Sequence, residues 1–147
     1  MNTGKCINPC ILAAVSRLGH GDKILIADGN YPLNSKTGDA EKIWVSLSPG
    51  IPTVTDVLDA LQSVINVEAA AVMQPSEGPE PEIFKEFEAM LPGMELQKLG
   101  RYEFYDECTV HPLHLAIATG EKRTFANLLI TVGCAYSDVD HIVDIGN

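Results

Sequence analysis

The chain has 147 residues, of which 46% are hydrophobic and 20% are charged, and its formal net charge is -10. These values are typical of one globular domain with a sizeable core. The acidic balance leaves no basic stripe to neutralise a nucleic acid backbone, and it disfavours an anionic membrane surface. We therefore expect neither nucleic acid nor a membrane as a partner.

The N-terminus lacks an apolar segment that ends in a small-residue cleavage site, and no apolar run approaches the ~20 residues needed to span a bilayer. A cytoplasmic location is therefore expected. The four cysteines show no repeated C-x-x-C spacing, and no nearby histidine completes a zinc-like set. We expect free thiols, mostly buried, and no metal site.

Apolar periodicity and the positions of proline and glycine predict alternating helices and strands. Asn8 and Pro9 are typical of a helix start, and Gly19 suits the cap at its end. Thr53 or Thr55 is expected to cap a second helix. The other predicted segments are strands at 23–27, 43–47, 67–73, 94–99, 113–118 and 128–132, a helix at 82–91 and a polar loop at 28–41.

No element is predicted between residues 100 and 112. Strands that alternate with helices predict an α/β fold, a three-layer α/β/α sandwich with a partly parallel sheet and helices on both faces. We expect a single domain over residues 1–135 and an acidic C-terminal extension over residues 136–147. No G-x-G-x-x-G or G-x-x-x-x-G-K-[ST] motif follows a strand, so no nucleotide cofactor is expected.

The segment around the first strand is the most informative one. It has the order Gly19-His20-Gly21-Asp22, a buried strand, and then Asp28-Gly29-Asn30-Tyr31-Pro32. Glycine lets the backbone adopt unusual conformations and lets a ligand approach it closely. We expect His20, which enters the strand, and Asp28, which leaves it, to point into one pocket.

Further motifs occur in a recognisable order along the chain. They are Ser46-Leu47-Ser48-Pro49-Gly50-Ile51-Pro52, then Arg101-Tyr102-Glu103-Phe104-Tyr105, then Ala118-Thr119-Gly120-Glu121 and Phe125-Ala126-Asn127. Together with the first segment, they resemble the ribose pyranase / fucose mutarotase family from about residue 4 to residue 135.

The resemblance implies a compact α/β subunit in a ring-shaped homo-oligomer, typically a decamer of two stacked pentamers, with sugar sites at subunit interfaces. It also implies cofactor-free interconversion of the cyclic forms of a free monosaccharide: α to β anomers and, for ribose, pyranose to furanose. The substrate stays open between an L-fucose-like and a D-ribose-like sugar. Residues 31–41 and 46–52 are closer to the ribose branch, whereas Arg101 and Tyr105 are closer to the fucose branch.

The resemblance assigns roles by position. His20 matches the acid/base histidine of the family, and Asp28 matches the carboxylate that binds sugar hydroxyls. Arg101 stands where the fucose branch has arginine and the ribose branch usually has histidine. Asn127 ends a motif that is commonly Tyr-x-Asn, but position 125 is Phe125. Because a phenol near the anomeric centre is missing, the alternative is a non-catalytic sugar-binding or sensing protein on the same scaffold.

These residue types suit the implied chemistry. Opening a hemiacetal ring requires one proton delivered to the ring oxygen and another removed from the anomeric hydroxyl, a task for histidine, whose unperturbed pKa is ~6.5. A carboxylate accepts strong hydrogen bonds from hydroxyls, and a guanidinium offers a planar fork. Tyr31, Tyr102 or Trp44 is a candidate apolar wall, and Tyr102 or Tyr105 is a candidate replacement for the missing phenol.

Each of these residues also has a simpler structural explanation. A histidine between glycines is often a turn or capping residue, and an aspartate before glycine often forms an Asx turn. The simpler explanations are a turn for His20 and Asp28, an ion pair with a nearby acid for Arg101, strand hydrogen bonding for Asn127 and packing for Phe125.

Overall fold

The computed structural model describes residues 1–136, in which helices alternate with strands. The predicted acidic extension lies, from residue 137 onward, outside the described residues. The strands are β1 (Lys23–Ala27), β2 (Glu41–Trp44), β3 (Val67–Met73), β4 (Leu96–Leu99), β5 (Leu115–Ala118) and β6 (Leu128–Val132). The helices are α1 (Pro9–Val15), α2 (Val54–Gln62), α3 (Ile83–Met90) and α4 (Arg101–Thr109).

The strands form one mixed sheet in the order β2-β5-β1-β6-β3-β4. β6 pairs antiparallel with β1 and β3, and the other pairings are parallel. All strands except β6 therefore end at the same side of the sheet, which we call the carboxyl edge. The opposite side, where they begin, is the amino edge. This division decides which side chains can meet, because loops that follow parallel strands gather at one edge.

Helices cover both faces of the sheet. Apolar side chains of α1, α2 and α3 pack with Ile24 and Ile26 of β1 in one buried cluster. Phe104 and Cys108 of α4 pack with Leu25 and the loop after β1 in a second cluster on the other face. The predicted three-layer α/β/α fold is therefore confirmed.

The predicted helix starts are found, whereas one predicted end is wrong. The Asn8 side chain accepts a hydrogen bond from the Ile11 N–H at 3.0 Å, as expected of an N-cap. Thr53 caps α2 in a reciprocal pair with Asp56. Gly19 does not cap α1, because the helix already ends at Val15 and Ser16 is its cap.

Two segments differ from the sequence prediction. The second strand spans Glu41–Trp44 rather than residues 43–47. The Val45 N–H donates to Ala118 O, and beyond this hydrogen bond the chain turns away from β5. α4 lies where no element was predicted. Its buried side chains are only Phe104 and Cys108, so its sequence carries no broad apolar stripe.

The described part of the chain has no helix that is both long and apolar enough for a membrane crossing. The four cysteines are free thiols. Cys6 and Cys108 are buried, whereas Cys10 and Cys134 are exposed, so the expectation of mostly buried thiols holds for half of them.

Candidate active site

A small open cavity lies at the carboxyl edge of the sheet, with a volume of about 190 Å³. Asp28 reaches it from the end of β1, Asn127 from the start of β6, and Arg101 from the first turn of α4. Phe125 and Tyr105 also line the cavity. With Tyr31, which also lines it, the structure therefore brings together six of the residues singled out from the sequence.

Asp28 and Asn127 form the polar floor of this cavity. Both are nearly inaccessible, at 4% and 3% exposure. The Asn127 Oδ1 accepts the Asp28 N–H at 2.8 Å, and the Asp28 Oδ1 accepts the Asn30 N–H at 2.9 Å. The second contact is the Asx turn expected from the sequence, so that structural explanation of Asp28 holds alongside its place in the cavity.

The electrostatic state of Asp28 follows from its burial. Removal of water raises the pKa of the Asp28 carboxyl above its ordinary value of 3.8, although hydrogen bonds from Asn30, Ala126, Tyr31 and Asn127 act in the opposite direction. A buried carboxylate that keeps one side towards a cavity is suited to accept hydroxyl hydrogen bonds.

Phe125 and Arg101 form the mouth of the cavity. Phe125 has a φ of 61°, the one non-glycine residue with positive φ in the described chain. For a bulky side chain this backbone conformation is unfavourable and is often found at functional sites. The Arg101 guanidinium carbon lies 6.0 Å from the centre of the Phe125 ring, at cation–π distance. Within the described residues Arg101 makes no ion pair, so the surface-pair explanation does not apply.

Of the tyrosines considered, two line the cavity. Tyr105 and Tyr31 stack edge to face at 5.6 Å, and the Tyr31 hydroxyl donates to Lys36 O at 2.7 Å. Tyr102 does not line the cavity and is 79% exposed, and Trp44 is 56% exposed. Of the two candidates to replace the missing phenol, Tyr105 is therefore the one that the fold places at the cavity.

The loop that carries Phe125 and Asn127 is fixed by an ion pair that sequence analysis missed. Glu121 is buried, and its carboxylate accepts from the Arg123 guanidinium at 3.1 Å and 3.0 Å. Arg123 also contacts Glu86 of α3. Burial alone would raise the pKa of Glu121, but hydrogen bonds from Arg123 outweigh it and lower the pKa overall. A glutamate beside Gly120 and near an arginine was the available signal.

Thr119 and Gly120 join the loops at this edge. The Thr119 hydroxyl and N–H both donate to Ala27 O, at 2.8 Å and 3.1 Å, which ties β5 to the end of β1. Gly120 packs against the 46–52 segment, where a Cβ would lie 2.5 Å from Ser48 O and 2.6 Å from Ile51 O. The motifs found in the sequence therefore meet around one edge of the sheet.

His20 lies elsewhere. It precedes β1, whereas Asp28 follows it, and a strand of five residues spans about 17 Å. His20 does not line the cavity. It is 57% exposed at the amino edge, where its Nε2 lies 2.8 Å from Glu68 Oε2. The expectation that His20 and Asp28 point into one pocket is therefore wrong within a single chain, because the two ends of one strand face opposite edges.

A larger concavity, of about 930 Å³, runs along edge strand β4, but it contains none of the predicted site residues. In the part of the chain that the structure describes, no three His, Cys, Asp or Glu side chains are grouped to hold a metal ion. The cavity at the carboxyl edge is therefore the candidate active site.

A small α/β domain with a cavity floored by a buried carboxylate and an amide is typical of proteins that bind a small polar ligand. The family model described as the RbsD / FucU transport protein family matches residues 1–135. The chain therefore belongs to this family, and the assignment made from the sequence motifs is confirmed.

Relatives and solved structures agree with this assignment. The chain is 34% identical over 142 residues to fucose mutarotase from Mus musculus, covering 88% of this chain and 90% of the relative. It is 32% identical over 142 residues to D-ribose pyranase from Proteus mirabilis, covering 92% and 100%. The structure of Bacillus subtilis RbsD complexed with D-ribose superposes with a TM-score of 0.78 at 27% identity, covering 92% of this chain and all of that chain.

A second solved structure, fucose mutarotase in complex with L-fucose from Streptococcus pneumoniae, superposes with a TM-score of 0.75 at 25% identity. The match covers 88% of this chain and 94% of the other. Both sugar branches are thus represented among the similar proteins.

Proposed function

We propose that the chain is a sugar isomerase that interconverts the cyclic forms of a free monosaccharide, either L-fucose-like or D-ribose-like, without a cofactor. The relatives named D-ribose pyranase and fucose mutarotase support this class of enzyme. The observation that carries the proposal is the pairing of Asp28 and Asn127 as a buried polar floor, with Arg101 at the mouth. This set offers an anionic acceptor, an amide and a fork of donors to adjacent hydroxyls.

In the proposed reaction His20 acts as general acid and base. It takes the proton of the anomeric hydroxyl as the ring C–O bond breaks, and the imidazolium so formed gives that proton to the ring oxygen. Rotation of the open-chain aldehyde and attack by a hydroxyl then re-form the ring on the other face. General acid–base catalysis of ~10²–10⁴-fold is sufficient for a reaction that already proceeds in water. Asp28, Arg101 and Asn127 bind the sugar and Phe125 forms part of the wall.

We further propose that the active site is shared between subunits. The cavity at the carboxyl edge and His20 at the amino edge belong to opposite sides of one sheet, so one chain cannot supply both. A ring-shaped homo-oligomer, a decamer in this family, would place the His20 of one copy at the cavity of the next. The proposal includes the cytoplasmic location expected from the sequence.

The test of catalysis is exchange NMR between the anomeric protons of a panel of aldoses, with L-fucose and D-ribose included. We expect accelerated exchange for one of these sugars and its loss in His20→Ala. If no aldose exchanges faster with the protein than without it, catalysis is refuted. If His20→Ala keeps the wild-type rate, the proposed base is wrong.

A subunit-mixing experiment tests the shared site. His20→Ala and Asp28→Asn are each expected to abolish exchange. Co-expression of the two inactive chains creates some cavities whose Asp28 faces an intact His20 from a neighbour, so part of the activity should return. Mixed oligomers that stay inactive would contradict a site formed by two subunits.

Phe125 favours a second candidate function, a non-catalytic monosaccharide-binding or sensing protein. Its ring lines the cavity at the position where the family motif commonly has a tyrosine. Calorimetric sugar binding with unchanged anomer exchange would support this alternative. A Phe125→Tyr variant that gains exchange would locate the cause in the missing phenol, whereas a fully active wild-type protein excludes it.

A further inference from the structure

Glu68 occupies an irregular position in β3. The register between β3 and β6 shifts at this residue, because its two neighbours on β3 pair with the consecutive residues Thr131 and Val132 of β6. Glu68 is thus the extra residue of a β-bulge. Bulges redirect a side chain and are over-represented beside functional sites. Here the carboxylate meets His20, with 2.8 Å between Glu68 Oε2 and His20 Nε2.

The chain is built to allow this bulge. Gly133 follows β6 and lies opposite the bulge. A Cβ at this position would lie 3.1 Å from Glu68 Cβ and 3.5 Å from the Glu68 nitrogen. Two hydrogen bonds close the same junction: Gly133 N–H donates to Asn66 O at 2.7 Å, and the Asn66 amide donates to Cys134 O at 2.8 Å. A side chain at position 133 would therefore crowd Glu68.

The backbone that carries His20 is also fixed against β6. Gly21 N–H donates to Val132 O, and Val132 N–H donates to Asp22 O, both at 2.8 Å. Within the turn, the Asp22 carboxylate accepts the Gly19 N–H at 2.7 Å. The His20–Glu68 contact therefore joins two anchored backbones rather than two freely moving surface chains.

A contribution to the stability of the fold does not explain the contact between His20 and Glu68. The two side chains are 57% and 41% exposed, and ion pairs with this exposure contribute little to stability because solvent screens them. A bulge, a closely packed glycine and an anchored turn are an elaborate arrangement for a pair that contributes so little to stability. The arrangement is explained if His20 must be held in one orientation and one tautomer.

We infer that Glu68 is the positioning residue for His20 in the proposed reaction. An ionised carboxylate is only an acceptor, so His20 Nε2 must carry the proton of this hydrogen bond. The neutral imidazole then has its lone pair on Nδ1, and Nδ1 is the atom that takes and returns the substrate proton. Partners of this kind fix the tautomer of functional histidines. The inference rests on the proposed function, since it assigns how the same histidine is held.

The test compares Glu68→Ala and Glu68→Gln with Glu41→Gln, all in the full-length protein. Glu41 is a matched control because its exposed carboxylate also accepts a hydrogen bond from one side chain, Arg17, at 2.5 Å. Two quantities are measured: the rate of anomer exchange, and the imidazole ¹⁵N shifts of protein labelled with ¹⁵N-histidine, assigned with His20→Ala. Far-UV circular dichroism checks that each variant is folded.

In the wild-type protein the neutral His20 is expected to have a protonated Nε2 and an unprotonated Nδ1. Glu68→Ala should mix the two tautomers and lower kcat about 10–100-fold, the range typical of lost partners of this kind. Glu68→Gln keeps an acceptor and should lose less, and Glu41→Gln should change neither quantity. Gly133→Ala keeps the carboxylate but crowds the bulge, and should move both quantities in the direction of Glu68→Ala.

The inference is overturned if Glu68→Ala leaves kcat or the His20 tautomer unchanged while His20→Ala abolishes exchange. In that case the proposed function survives and only the positioning role is lost. If the wild-type protein accelerates exchange for no aldose, the proposed function fails; if His20→Ala retains the wild-type rate, the proposed base is wrong. These failures are therefore distinguishable in the same set of measurements.

Discussion

Gly120 is the position at which a single methyl group should do the most damage to the candidate active site. In Gly120→Ala the new Cβ would lie 2.5 Å from Ser48 O, 2.6 Å from Ile51 O and 3.0 Å from Ile51 N. All three atoms belong to the backbone, so no side chain can rotate away. The 46–52 segment must move, and with it the hydrogen bonds that Gly120 makes with Gly50 and Pro52.

The expected cost follows from these contacts. Overpacking of this kind costs about 1–3 kcal/mol, and weakening two hydrogen bonds adds about 1 kcal/mol each. The loss of glycine freedom in the unfolded chain returns about 0.4–1 kcal/mol. We therefore expect Gly120→Ala to lower the free energy of unfolding by about 2–5 kcal/mol, the balance of these ranges. Sugar affinity should fall as well. Gly120 lies between Thr119, which ties β5 to the end of β1, and Glu121, which fixes the loop that carries residues of the cavity.

Urea unfolding at matched protein concentration measures this free energy, since subunit association makes apparent stability depend on concentration. Gly19→Ala is the control: its Cβ would meet no atom within 4 Å, and its φ is not left-handed. Its stability should change by no more than about 0.5 kcal/mol. If Gly120→Ala unfolds at the same urea concentration as the wild type, the close packing between the two loops does not hold the site together.

Three further outcomes are expected. Burial raises the pKa of Asp28 above 3.8, so the wild type should lose stability relative to Asp28→Asn as pH rises from about 3.8 through the higher pKa of the folded state. Melting temperatures of the two proteins over this pH range measure the effect. A wild type that gains stability relative to the variant contradicts it. Arg101→Lys keeps the charge but loses the planar fork over Phe125, so calorimetric sugar affinity should fall roughly tenfold, and equal affinity refutes a fork contact. Burial raises the pKa of Cys108 to about 11, so maleimide at pH 8 should label exposed Cys10 and leave Cys108 unlabelled until urea is added; native labelling of Cys108 rejects this environment.

The sequence contained most of the fold because its apolar patterns are local. The strand at residues 128–132 and the capping asparagine of α1 were predicted at their positions. α4 was missed because its contact with the sheet rests on Phe104 and Cys108 alone, with polar residues between them. Such a helix is held by tertiary packing and carries little periodic signal of its own.

The candidate active site was predictable in its members but not in its geometry. Asp28, Arg101 and Asn127 meet because all three lie where strands begin or end at one edge, which motif order alone does not reveal. The predicted pairing of His20 with Asp28 overlooked the length of the strand between them. The sequence analysis did not single out Glu68. It is the only charged residue in β3, and a charge in a mainly apolar strand was a usable signal for a functional position.

The two edges of the sheet differ in how they are constructed, and this difference favours a shared site. At the carboxyl edge Phe125 keeps an unfavourable backbone conformation that costs of order 1–2 kcal/mol, and the ion pair between buried Glu121 and the more exposed Arg123 fixes the loop around it. At the amino edge a bulge and an anchored turn hold His20 against Glu68, and both side chains stay exposed. Strain is tolerated where a rigid shape has a use. The cavity at the carboxyl edge lacks a base, and His20 at the amino edge lacks a cavity. Both rigid arrangements have a use when a neighbouring copy brings the two edges into contact.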